Sequence, residues 1–148
     1  MRTKIVIGLL TVAAILGWTG VVGAQTAPPT PKVQLPSGDT VWDLSGDWDT
    51  FHENFGEKVR FGNYPNAFRI TQTGSEFKAI RLRDNPPPSV ARAGSLSLQG
   101  EVDTNGFKRV DIVTGQGIIS PSKGQIAADG KKIVIDNGAT IRVTLTRK

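Results

Sequence analysis

A single histidine, His52, stands between Asp49 and Glu53 in a chain of 148 residues. An imidazole beside carboxylates can serve as a general base, because its ordinary pKa lies close to neutrality. Such a base needs a nucleophile to activate. The chain has no Cys, and no Gly-x-Ser-x-Gly turn that would present a serine. His52 is therefore read as a surface or turn residue, and no enzymatic activity is expected. Around it, Asp39, Asp43, Asp47, Asp49, Glu53 and Glu57 form an acidic run with no basic residue before Lys58. A Ca²⁺ site needs several converging oxygens, and the run lacks the loop spacing that delivers them. It reads as a solvated face. No metal and no cofactor are expected.

A second group of candidates is basic. Lys78, Arg81, Arg83 and Arg92 surround the segment Asp84-Asn85-Pro86-Pro87-Pro88. Guanidinium groups gathered on one loop can hold an anionic ligand or a polysaccharide. The simpler reading is a solubilising edge, since exposed Lys and Arg discourage strand-to-strand association. No aromatic residues interleave with these cations, so a nucleic-acid partner is not expected. Gly115-Gln116-Gly117 does not extend to a dinucleotide fingerprint and reads as loop.

The compartment follows from the N-terminus and the missing thiols. Arg2 and Lys4 precede an apolar stretch over 5–16, and Val22-Gly23-Ala24 places small residues at a cleavage position. Residues 1–24 are read as a signal peptide cleaved between Ala24 and Gln25, which gives a secreted or periplasmic protein. The competing reading is an uncleaved anchor, because 5–24 carries no charge and is long enough to span a bilayer. That would be the chain's one membrane contact. Arg2 and Lys4 belong to the 18 Lys+Arg, so the remaining sixteen face 13 Asp+Glu, a net charge of +3 rather than +5. Without disulfides, an exported domain must be held by its core and its ladders.

These side chains are positioned by strands. Residues 25–38 carry four Pro and read as an extended arm. The domain follows over 39–148. Val41, Trp42 and Leu44 anchor its start, and 50–56 is left open between an irregular turn and a short helix. Phe68 and Ile70 share one face, and Arg69 and Thr71 the other. The turn Thr73-Gly74-Ser75 leads back through Phe77 and Ala79. Ile80 and Leu82 then fall on the Lys78 face, which predicts a bulge near Ala79–Ile80 or cover on both faces. Leu96, Leu98, Gly100 and Val102 alternate up to the Asn105-Gly106 turn, and Val110 and Ile112 are in phase beyond it. Ile118 and Ile119 form a short apolar run that Pro121 ends. Turns at Asp129-Gly130 and Asn137-Gly138 frame the last strands, where Ile141, Val143 and Leu145 face one way. The fold class is all-β, an antiparallel up-and-down meander of about 7–8 strands closing into a small barrel.

Gly46-Asp47-Trp48 resembles the Gly-x-Trp signature on the first strand of lipocalins and avidins, the calycins. The ending Thr144-Leu145-Thr146-Arg147-Lys148 is similar to the avidin ending. The resemblance implies that Gly46 lets the strand approach closely, that Trp48 plugs one barrel end, and that a late basic residue packs across it. Arg147 is the first candidate for that residue and Arg142 the second. No biotin-contacting set aligns, and the later lipocalin motifs are missing, so biotin is not expected. The same barrel shape occurs in small periplasmic metalloprotease inhibitors, whose N-terminal arm enters the protease cleft.

The expected function is non-catalytic binding at the barrel end or its rim loops. Phe68, Ile70, Phe77, Leu98 and Trp42 are the candidate ligand-contacting residues, with an unknown small molecule or a protein as partner. The alternatives are a protein–protein module acting through the arm or the 84–92 loop, and a structural envelope protein.

Overall fold

Alternation of inward apolar and outward polar residues builds most of this protein, and the computed structural model describes it for residues 31–148. The predicted signal segment and the first residues of the arm lie outside the described residues. The elements are β1 (Lys32–Gln34), β2 (Thr40–Trp42), β3 (Gly46–Asn54), a 3-10 helix (Gly56–Phe61), β4 (Tyr64–Thr73), β5 (Glu76–Arg81), β6 (Leu96–Val102), β7 (Phe107–Val113), β8 (Ile119–Ile126), β9 (Lys132–Asp136) and β10 (Ile141–Arg147). Strands β3 to β10 each pair antiparallel with the next, and β10 returns to pair with β3. The result is the expected closed, eight-stranded, up-and-down barrel. A barrel of eight strands has an interior that side chains can fill or that can hold one small ligand.

The inward residues divide that interior into two halves. Trp48, Phe68, Ile70, Phe77, Leu98, Ile133, Ile135 and Leu145 pack into one apolar core. Gly100 makes the close approach possible there. A Cβ on it would collide with the Arg109 carbonyl and touch the Phe77 ring. At the end beneath this core, Trp48 is wholly buried. Its indole N–H donates to the Leu44 carbonyl at 2.8 Å. The Arg147 guanidinium lies 4.5 Å from the ring centroid. Arg147 Nη1 donates to Ser45 O at 3.0 Å and Nη2 to Asp43 O at 2.6 Å. Gly46, with φ +119°, brings the chain into this corner. Arg142 instead points outward and pairs with Asp136 at 2.8 Å.

Gln72 ties the same corner together. Its side-chain oxygen accepts from the Leu44 N–H at 2.9 Å, and its Nε2 donates to the Trp42 carbonyl at 2.8 Å.

Several local readings change. The described part of the arm is not a loose extension: Lys32–Gln34 pairs with Thr40–Trp42 as a two-stranded ribbon. Pro limits but does not forbid this, because the ribbon is only three pairs long and Pro31 and Pro36 flank it. Residues 50–54 are neither turn nor helix but the continuation of β3, and the short helix begins later, at Gly56. In β5 the alternation is unbroken: Phe77, Ala79 and Arg81 are buried, while Ile80 points outward. The expected register shift does fall between Ala79 and Ile80, but the additional residue lies on the partner strand. Ala79 pairs with Leu98 and Ile80 with Leu96, so Ser97 of β6 is the additional residue.

Pro121 does not end its strand. It lies inside β8 opposite Asp111 of β7. Pairing to β9 starts only at Lys123. Pro121 thus occupies a locally unpaired edge, where a missing N–H costs nothing.

Candidate functional site

The strand directions place four connections at the end opposite Trp48. They span 55–63, 82–95, 114–118 and 137–140. Between them lies a cavity of ≈ 660 Å³, within the range of small-molecule sites. Its walls combine apolar side chains, among them Phe68, Ile112, Ile141 and Val143, with His52, Tyr64, Arg81, Asn85 and Ser97. The apolar core closes it from below.

His52 reaches the cavity by register. It is in phase with Trp48 and Thr50 on β3, so it faces inward and is only 5% exposed. Asp49 and Glu53 are out of phase with it, on the outer face. Adjacent carboxylates in sequence are therefore not its partners, and the reading of His52 as a surface residue is corrected. Its ring stacks on Tyr64 at 4.7 Å and meets Phe68 edge-on at 5.4 Å. Burial pushes the imidazole pKa down to about 3, and the Arg81 charge adds to the shift. The ring is neutral at physiological pH, and its Nε2 has no hydrogen-bond partner among the described residues.

Arg81 is the largest departure from expectation. It was grouped with solubilising surface cations, yet it is 4% exposed. Its Nη1 donates to Ser95 Oγ at 2.9 Å and to Leu96 O at 2.6 Å, and its Nη2 to Val113 O at 3.0 Å. These bonds fix the guanidinium across β5, β6 and β7. No carboxylate pairs with it among the described residues, and its Nε has no partner. Burial lowers its pKa, and Tyr64 opposes the shift. Arginine starts so high that it remains a cation.

Ser97 is turned inward by the β6 irregularity and is 2% exposed, with its hydroxyl unpartnered. A satisfied polar chain runs alongside. Asn66 Nδ2 donates to Asn85 Oδ1 at 2.8 Å, and Asn85 Nδ2 donates to the Tyr64 hydroxyl at 2.7 Å. Burial raises the Tyr64 pKa, while Arg81 and the Asn85 bond hold it back. Asn85 thereby anchors the 82–95 loop over the mouth, and Pro88, Ser89 and Val90 complete the wall.

Of the predicted ligand-contacting residues, Phe68 lines this cavity. Ile70, Phe77 and Leu98 belong to the filled half, and Trp42 is buried at the closed end beneath Lys32, whose ammonium lies 4.8 Å from its ring. Gly46, Trp48 and Arg147 come together at that closed end. Arg83 and Arg92 are on the rim, and Arg92 pairs with Asp84 at 3.5 Å. Tyr64, Arg81, Asn85 and Ser97 were not singled out as cavity residues. The signal for two of them was present: Arg81 continues the Phe77, Ala79 alternation, and Tyr64 precedes Asn66, Phe68 and Ile70 in step. Among the described residues no group of three or more His, Asp or Glu could hold a metal ion.

Comparison with protein-family models, with curated proteins and with solved structures gives no match to this chain. The site is defined by its geometry. It offers one fixed cation, neutral hydrogen-bonding groups and apolar walls in a volume partly shielded from water.

Proposed function

We propose that this chain is a non-catalytic binding protein, exported by its N-terminal segment, that takes a small ligand into the mouth of the barrel. The observation that carries the reading is the cluster of unpartnered polar atoms, His52 Nε2, Arg81 Nε and Ser97 Oγ, on residues that line one cavity. A buried polar group without a partner costs stability, roughly 1–3 kcal/mol each and more for a charge. Of the six such atoms among the described residues, these three belong to residues of one cavity, and a ligand or ordered water that reaches them through small side-chain shifts would supply the missing bonds. The apolar floor and walls provide the rest of a small-molecule site.

Titration with the uncharged, polarity-sensitive dye Nile red, followed by fluorescence and by amide chemical shifts, tests this. The expected result is saturable one-to-one binding with shifts at Tyr64, Phe68, Arg81 and Val113, and little change around Trp48. No saturable binding, or shifts gathered at the β1–β2 ribbon, would overturn it.

A further inference from the structure

We infer that the ligand is an organic monoanion with an apolar body, its charged end held by Arg81 and Ser97 deep in the mouth. This rests on the ligand-binding reading above and adds the chemical class.

The argument is one of charge. A guanidinium 4% exposed is normally neutralised by a carboxylate or phosphate. Here the acceptors are two backbone carbonyls and one hydroxyl, all neutral. They orient the group without cancelling its charge. Glu57 is the one carboxylate on a residue lining the cavity; it is exposed on the rim, beside Lys58 and Arg60, and is not paired with Arg81. Asp84, also at the mouth, is engaged by Arg92 and by the Ala93 N–H. The Tyr64 phenol keeps its proton. His52 adds no second positive charge, being held neutral by burial. Deep in the mouth the site therefore carries one positive charge, that of Arg81; Lys58, Arg60 and Glu57, which also line the cavity, stand at its outer edge. The single buried charge fits a carboxylate better than a dianionic phosphate.

The donors match that assignment. Arg81 Nε and Ser97 Oγ each have a hydrogen to give and no acceptor. His52 Nε2 can give a third in its N–H tautomer. Ile112 and Ile141, with Phe68 and Val143 packed behind them, give the cavity an apolar wall suited to a hydrocarbon body rather than to a free inorganic ion. On the rim, Lys58, Arg60, Arg83 and Arg92 outnumber Glu57 and Asp84, which favours the approach of an anion.

The test uses matched ten-carbon probes: decanoate, decanol and decyl phosphate, each displacing Nile red from the full chain. Decanoate is expected to bind about 10–100-fold more tightly than decanol, the range of a charge-assisted hydrogen-bonded pair. Arg81→Met should abolish that preference, with decanoate losing far more affinity than decanol. Because Arg81 also bridges three strands, Ser97→Ala serves as a second variant; it should narrow the preference several-fold without touching the Arg81 bonds. Equal binding of decanoate and decanol, unaltered in Ser97→Ala, would overturn the anion assignment while leaving the mouth site standing. Tighter binding of decyl phosphate than of decanoate would overturn the single-charge count. Failure of the dye and all three probes to bind would remove the ligand-binding reading itself.

Discussion

Two arginines end two inward-facing strands of this barrel, and they have opposite surroundings. Arg147 lies over Trp48 at the closed end, with the ring 4.5 Å away and two backbone carbonyls as acceptors. Arg81 at the open end is also held by two backbone carbonyls, with a serine hydroxyl besides, but it borders a cavity where Arg147 borders an aromatic face. Each leaves its Nε without a partner. The difference is what fills the space in front of the cation. A π face is a permanent partner for Arg147. Among the described residues Arg81 has no such partner, so on the proposed reading the same residue type is a clasp at one end and a receptor at the other.

The comparison can be broken most sharply at Trp48. Trp48→Ala should cost roughly 3–5 kcal/mol in urea unfolding, because a fully buried indole is lost from a packed half of the barrel. A variant that keeps wild-type stability and loses only ligand would show that the closed end is the site. The next effect is pH-dependent. His52 has a folded pKa about 3, below its unfolded value near 6.5, so the unfolded chain takes up a proton first. The stability it contributes is complete above pH 6.5 and falls as pH drops towards 3. The slope should approach about 1.4 kcal/mol per pH unit between pH 6 and 5, a span above the ordinary carboxylate range. His52→Leu should flatten that span; an equal slope in the variant would refute the assignment. The smallest effect separates the arginines directly. Arg147→Met should destabilise by roughly 1–2 kcal/mol through the lost cation–π contact and carbonyl bonds. Arg81→Met should change stability by less than about 1 kcal/mol, because relief of a desolvated charge offsets its lost hydrogen bonds. Reversed rankings in denaturant titrations would end the distinction between clasp and receptor.

How much of this was legible in the sequence depended on whether a strand buries one face. β4 and β10 alternate cleanly, and their inward sets, Phe68 and Ile70, Ile141, Val143 and Leu145, are read directly from period two. The barrel class follows from such strands and the turns between them. The Gly46, Trp48 and Arg147 corner came from a short motif rather than from periodicity. The site resisted reading because its inward positions are polar. His52, Arg81 and Ser97 break the hydrophobic pattern at the end of each strand where the interior stops being apolar, so polarity there looked like exposure. Ser97 was hidden further by the β6 irregularity, which puts two consecutive residues inside. Pro121 misled for a different reason. A proline is compatible with a barrel strand where that strand is paired on one side only, and such staggering depends on the partner strands and not on local sequence.

The β10–β3 ladder has a consequence for how the chain folds. Every other ladder of the barrel joins strands that follow one another, most across short turns, whereas this one pairs Ile141 with Asn54 and Arg147 with Trp48. Its loop-closure entropy is the largest in the molecule, and contacts of that kind slow folding. β10 also follows all the other strands during synthesis. The sheet can therefore curl early, but its two free margins stay exposed until the final strand arrives. Docking Arg147 on Trp48 is then the event that turns an open sheet with two long free margins into a closed barrel.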